Sequence, residues 1–192
     1  MALKLCSDVS PSNWITDGVD SWNSTALFGP PEFEAHARLR FMPDPAFKGQ
    51  RASDVRYDPT TQTDESLVEQ RLCGLLATVT RTPEDCFFAL WDGHGDLEPL
   101  RGGPQMRIPN RAYYLFHGPL SDVGNWETAQ GVVDWWPAAF IWPADHAWCV
   151  ASDTDPHWAG IGASSDTILM LLEQQHLDVV AAERRLGGPF YM

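Results

Sequence analysis

The stretch Phe33-Glu34-Ala35-His36-Ala37-Arg38-Leu39-Arg40-Phe41 decides the fold class. Every odd position is apolar (Phe33, Ala35, Ala37, Leu39, Phe41) and every even one polar (Glu34, His36, Arg38, Arg40). Strand side chains alternate between faces, so this pattern predicts a strand over residues 33–41 with one face on a core and the other in water. Downstream, Cys86-Phe87-Phe88-Ala89-Leu90-Trp91 is apolar without alternation, the pattern of a central strand covered on both faces. Residues 112–117 and Ala139-Phe140-Ile141-Trp142 are similar, the latter stopped by Pro143. Residues 146–152 and 157–162 read as a hairpin around Asp153-Thr154-Asp155-Pro156, and 177–181 as a last strand.

Helices fill the intervals. Asp64 opens one to about Val79, whose apolar stripe is Val68, Leu72, Leu75, Leu76 and Val79. Gly74 inside it works against the helix by roughly 1 kcal/mol relative to alanine. Ser121 can cap a brief helix to about Ala129, and Ser164, Ser165 and Asp166 can cap one carrying Ile168, Leu169, Leu171 and Leu172. Residues 10–31, with Trp14, Ile15, Val19, Trp22 and Phe28, suit a short helix or aromatic-pinned turns. Short turns between strands point to an α+β fold: a mostly antiparallel sheet of about five to seven strands, with two or three helices packed on one face. No repeat or clean linker interrupts residues 1–192, so a single α+β domain is expected. The polar loop 43–63 is long enough to be mobile or functional.

Composition narrows the function classes. With 26 acidic against 13 basic residues the formal charge is −13, which repels phosphate backbones and argues against nucleic-acid binding. The same charge would steer a basic protein partner toward the surface. Lysine occurs only at Lys4 and Lys48, the arginine-rich bias of a GC-rich bacterial genome. Cys6, Cys73, Cys86 and Cys149 lack C-x-x-C spacing, so reduced thiols in a cytoplasmic setting are expected. No apolar run approaches the length of a membrane span and no signal-peptide core precedes Ser7-Asp8, so no membrane association is expected.

Three features could carry chemistry. Asp153-x-Asp155-x-His157, with Asp145 and His146 nearby, offers carboxylates and imidazoles to a cation if they converge. The same residues make a good tight turn, the preferred reading, so no metal is assigned. Asp92-Gly93-His94-Gly95-Asp96 follows a buried strand, where catalytic loops are often held, and His94 is its titratable group. Gly-x-Gly also serves a sharp reversal, and the third glycine of a dinucleotide site is missing, so no cofactor is expected. Third, Trp126, Trp135, Trp136, Trp142, Trp148 and Trp158 crowd the C-terminal half, either as core or as an aromatic pocket or partner surface. There is no G-x-S-x-G, no H-E-x-x-H and no P-loop.

Trp142-Pro143-Ala144-Asp145-His146-Ala147-Trp148-Cys149-Val150-Ala151, followed by Asp153 and Asp155, resembles a group of small intracellular proteins of GC-rich bacteria that share W-P-A-D-x-A-W-C-V-A. The resemblance spans roughly residues 85–180. It implies no activity and no site residues, and marks the hairpin as the group's signature. The leading expectation is therefore a non-catalytic cytoplasmic binding protein, similar in size, acidity and aromatic content to immunity proteins that neutralise basic bacterial toxins. The alternative is an enzyme or small-molecule binder with a pocket near Trp142, Trp148, Asp153, Asp155 and His157. On the preferred turn reading, calorimetric titration with zinc, manganese or calcium gives no heat beyond dilution. A stoichiometric isotherm lost in Asp155→Ala would instead establish a metal site.

Overall fold

The computed structural model describes residues 2–18, 21–55, 64–95, 97–132 and 136–192. Among the described residues nine strands form one sheet: β1 (Lys4–Leu5), β2 (Ala35–Arg40), β3 (Cys86–Trp91), β4 (Gln105–Ile108), β5 (Arg111–Gly118), β6 (Phe140–Pro143), β7 (Trp148–Ala151), β8 (Trp158–Ala163) and β9 (Val179–Ala182). Their spatial order is β1-β5-β3-β6-β7-β8-β2-β9, with β4 sharing the outer edge of β5 with β1. Every pairing is antiparallel. The α+β class and the antiparallel sheet match the sequence reading, but the strand count exceeds the expected five to seven. The additions are β1 and β4, too short for alternation to register.

Helices cover both faces, not one. Leu72, Cys73 and Leu76 of α3 (Glu65–Leu76), Trp126 of α4 (Trp126–Gln130), and Ile168 and Leu171 of α5 (Ser165–Leu172) pack on one face. There they meet Leu39, Phe88, Phe116, Ile141, Trp148, Val150 and Ile161. Ile15 of α1 (Asn13–Thr16) and Ala26 of α2 (Trp22–Phe28) pack on the other, against Ala89, Leu115, Phe140, Trp142, Cys149 and Ala151. The unalternating apolar runs of β3 and β6–β8 are the sequence record of this double cover. Two of the expected caps form: the Asp64 carboxylate accepts from Ser66 N at 2.9 Å, and Ser164 Oγ from Thr167 N at 3.3 Å, whereas Ser121 lies in a 3-10 turn and α4 starts only at Trp126, after Asn125.

Two glycines let α2 and its flank lie directly on β8. A Cβ at Gly160 would collide with Leu27 O, and one at Gly162 with the Phe33 ring. The hairpin of β7 and β8 holds the register Trp148↔Ala163 to Ala151↔Gly160.

The alternating strand departs from expectation on its polar side. Ala37 and Leu39 are buried as predicted, while Phe33 and Phe41 are only half-buried. The even face is covered too: Arg38 is 8% exposed, and His36 and Arg40 are half-buried. Phe28 meets His36 edge-on, and the Arg38 guanidinium lies 5.3 Å from the Trp158 ring centre. The cause is α2 and the C-terminal tail, which lie on that face and turn a two-faced strand into a sandwiched one. Val19, Asp96, Trp135 and residues 56–63 of the polar loop lie outside the described residues. Among the described residues no helix is long and apolar enough to cross a membrane.

Leu39 is the side chain on which the strand reading rests. Leu39→Ala is expected to lower unfolding free energy by about 2–5 kcal/mol, measured by urea denaturation, because the packed surroundings leave a cavity. A change below about 0.5 kcal/mol, the range of neutral surface substitutions, would contradict its place in the core.

Candidate functional site

The sequence-predicted residues do not form one site; the fold distributes them over four local structures. The first is the turn between β6 and β7. His146 takes a positive φ of 53°, and its N–H donates to Pro143 O at 2.9 Å. The Asp145 carboxylate faces inward and accepts from Thr80 Oγ1 at 2.7 Å, Arg81 N at 2.8 Å and Ala147 N at 3.2 Å. Burial pushes this carboxyl up, but those three bonds outweigh it and hold it below its ordinary value. The His146 ring stacks on Trp14 at 4.1 Å, and burial lowers its pKa.

Trp142 and Trp148 flank this turn, and both are fully buried. Trp148 Nε1 donates to Leu76 O at 3.1 Å, and Trp142 stacks on Phe87 at 5.5 Å. Neither reaches solvent, so neither is a surface anchor, which corrects the pocket or partner-surface reading of these two rings. Trp126 and Trp158 are equally buried. The stretch from Trp142 to Ala151 thus serves packing: tryptophans through the sheet, a proline-aspartate turn tying in residues 80–82, and a small Cys149 face against Gly29.

The second local structure holds Asp153. Arg111 Nε and Nη2 each donate to its carboxylate at 3.1 Å, a bidentate pair between strands. The Arg111 guanidinium lies 5.6 Å from the Trp22 ring centre and 5.4 Å from that of Trp91. Asp155 stands exposed in the hairpin turn. His157, only two residues on, turns to different partners. Asp153, Asp155 and His157 therefore do not converge, and among the described residues no group of three His, Cys, Asp or Glu side chains assembles that could hold a metal.

The third centres on Asp44, which the sequence reading passed over as loop. Arg38 Nη1 and Nη2 donate to its two oxygens at 2.7 and 3.0 Å, Arg40 Nη1 at 3.2 Å, and His157 Nε2 bonds it at 3.1 Å. Arg40 Nη2 also donates to Asp178 at 2.7 Å. The Arg38 bonds, helped by His157, hold the Asp44 carboxyl far below the usual carboxylate range. Burial pushes the His157 pKa down despite that carboxylate. Tyr191 closes the group edge-on to His157 at 4.7 Å. The available signal was the second arginine of the alternating strand, four residues before an aspartate.

The fourth holds His94, stacked on Trp136 at 4.1 Å and edge-on to Trp91 at 5.4 Å. A second His–carboxylate pair, His117 with Asp85, stacks on Phe87 in the same manner. In both His–carboxylate pairs the imidazole's ring neighbour is aromatic, a packing arrangement.

Glu69 of α3 was also missed. It is 8% exposed, and its Oε2 is buried without a hydrogen-bond partner among the described residues. Its face is shared with Leu72, Cys73 and Leu76, which i, i+3, i+4 spacing from 69 would have revealed. Comparison with protein-family models, curated proteins and solved structures finds no match to this chain.

Burial raises the Glu69 pKa from 4.5 to about 8. The folded protein keeps a proton that the unfolded chain releases near 4.5, so this group's contribution to stability falls as pH rises from about 4.5 to about 8 and is level above. Glu69→Gln should raise stability by about 1–3 kcal/mol at pH 8.5, and change it little at pH 4.5, by thermal melts across pH. A difference between the two proteins that is independent of pH would show that Glu69 is not held protonated.

Proposed function

We propose that this chain is a non-catalytic cytoplasmic binding protein that captures a basic protein partner, in the manner of an immunity protein. The observation that carries this reading is the surface where residues 43–50 meet the C-terminal tail. Tyr191 Oη donates to Pro43 O at 2.6 Å, Met192 N to Gln50 O at 2.9 Å, and Trp158 Nε1 to Pro189 O at 3.0 Å. On this braced backbone Phe47 is 63%, Phe190 43% and Met192 82% exposed.

Large apolar side chains facing water on an ordered backbone are interface anchors in waiting. Aromatic residues and methionine are enriched at the cores of protein interfaces, and a pre-ordered backbone reduces the entropy lost on association. The buried Trp142 and Trp148 no longer compete for this role. The chain's charge of −13 supplies the long-range attraction for a basic partner. Lys48 and Arg51 stand beside the patch, so the steering charge belongs to the acidic body and the contact itself is apolar.

The test is capture from lysate of the source cells followed by kinetics on the identified partner. The expected partner is basic. Phe47→Ser and Met192→Ser should each weaken binding at least tenfold with unchanged melting temperature. Added salt should slow association far more than it speeds dissociation. An acidic partner, or full binding in both variants, would reject the reading.

A further inference from the structure

Helix α3 carries a glycine that the fold does not use. Gly74 sits in the helix interior, where glycine costs roughly 1 kcal/mol relative to alanine. A Cβ added there would meet nothing within 4 Å among the described residues, so no described neighbour forbids a side chain. What the missing side chain leaves is the floor of a groove of about 500 Å³. Arg71, Gly74 and Leu75 line it from α3, and Gln174, His176 and Leu177 from the segment after α5. That volume lies within the roughly 300–1,000 Å³ typical of small-molecule sites.

The lining divides by chemistry. Leu75 and Leu177 are apolar, and bare backbone at Gly74 permits close approach. Arg71 is the one permanently charged side chain of the lining, and among the described residues it makes no ion pair. Arg51 and Arg107 likewise make no ion pair among the described residues, but of these three arginines only Arg71 lines this groove. His176 adds a second nitrogen donor or acceptor, while Gln174 Nε2 is turned onto Met170 O at 3.0 Å. Among the described residues no carboxylate lines the groove.

We infer that this groove binds a small organic anion with an apolar body. Its carboxylate pairs with the Arg71 fork, whose geometry matches a carboxylate with two parallel bonds. Its body lies over Gly74 between Leu75 and Leu177. The net negative charge of the protein does not forbid this, because charges beyond about 8 Å are screened at physiological ionic strength and Arg71 is the charge in contact. The site is separate from the Phe47–Met192 patch, so each can hold or fail alone.

The experiment titrates the full-length chain with 4-phenylbutyrate, and in parallel with 4-phenylbutanol, following amide resonances by NMR. Saturable shifts are expected at Gly74, Leu75 and Leu177 with the carboxylate, at least tenfold weaker with the alcohol. Arg71→Gln should lose at least tenfold in affinity for the carboxylate and bind the alcohol as wild type does. Gly74→Leu fills the groove and should abolish both, with a melting temperature no lower than wild type. Equal affinity for acid and alcohol would overturn the assignment of an anion. Unchanged binding in Gly74→Leu, or no saturable shift with 4-phenylbutyrate, would overturn the site itself.

Discussion

The sheet must be covered on both faces, and most of the structure is the answer to that requirement. β3, β6, β7 and β8 carry apolar side chains on each side, so neither face can be left to solvent. Helices α3–α5 serve one face and the segment holding α1 and α2 serves the other. The second layer can lie close because Gly160 and Gly162 present backbone only. Three of the buried indoles, Trp126, Trp148 and Trp158, satisfy their N–H on carbonyls of neighbouring segments. Each thereby has its ring in the core and its polar edge tying in a neighbouring segment, which for Trp148 is the end of α3.

The same requirement explains Asp44. Covering the even face of β2 buries Arg38 and half-buries Arg40, and arginine tolerates burial only when paired. One carboxylate from the following loop meets both guanidiniums and His157. The pairing draws residues 43–50 onto the sheet, where the C-terminal tail closes over them through Tyr191 and Met192. Removing a single partner would leave charge without compensation in a mostly dry environment. The polar group and the exposed apolar patch beside it are thus consequences of one packing decision.

Strands whose apolar content is intrinsic were legible in the sequence. The runs at 86–91, 112–117 and 139–142 announce themselves, and the hairpin follows from its turn residues. β1 and β4, with two and four residues, are too short for any periodicity to stand out, and their partner β5 specifies them. The polar face of β2 was misread because alternation reports which side chains differ, not what lies over them. The covering layer comes from residues some ten positions earlier and 150 later. The candidate side chains were legible as residue types only. Asp153, Asp155 and His157 are neighbours in sequence, yet the hairpin turn sends Asp153 to Arg111 and His157 to Asp44. The groove beside Gly74 had one visible trace, a glycine where a helix former would serve better.

The margins of the sheet have a further consequence. A broad antiparallel sheet is a template on which foreign strands can grow, and its danger scales with the length of unpaired edge. Here one margin is divided between β1 and β4, and the other is β9, whose four residues end beside Glu183 and Arg184. Each exposed ladder is therefore too brief to hold a second chain in register. The interior strands, rich in aromatic side chains, are sequestered behind these short borders. On that argument the perimeter, not the interior, limits the room this sheet offers to a foreign strand.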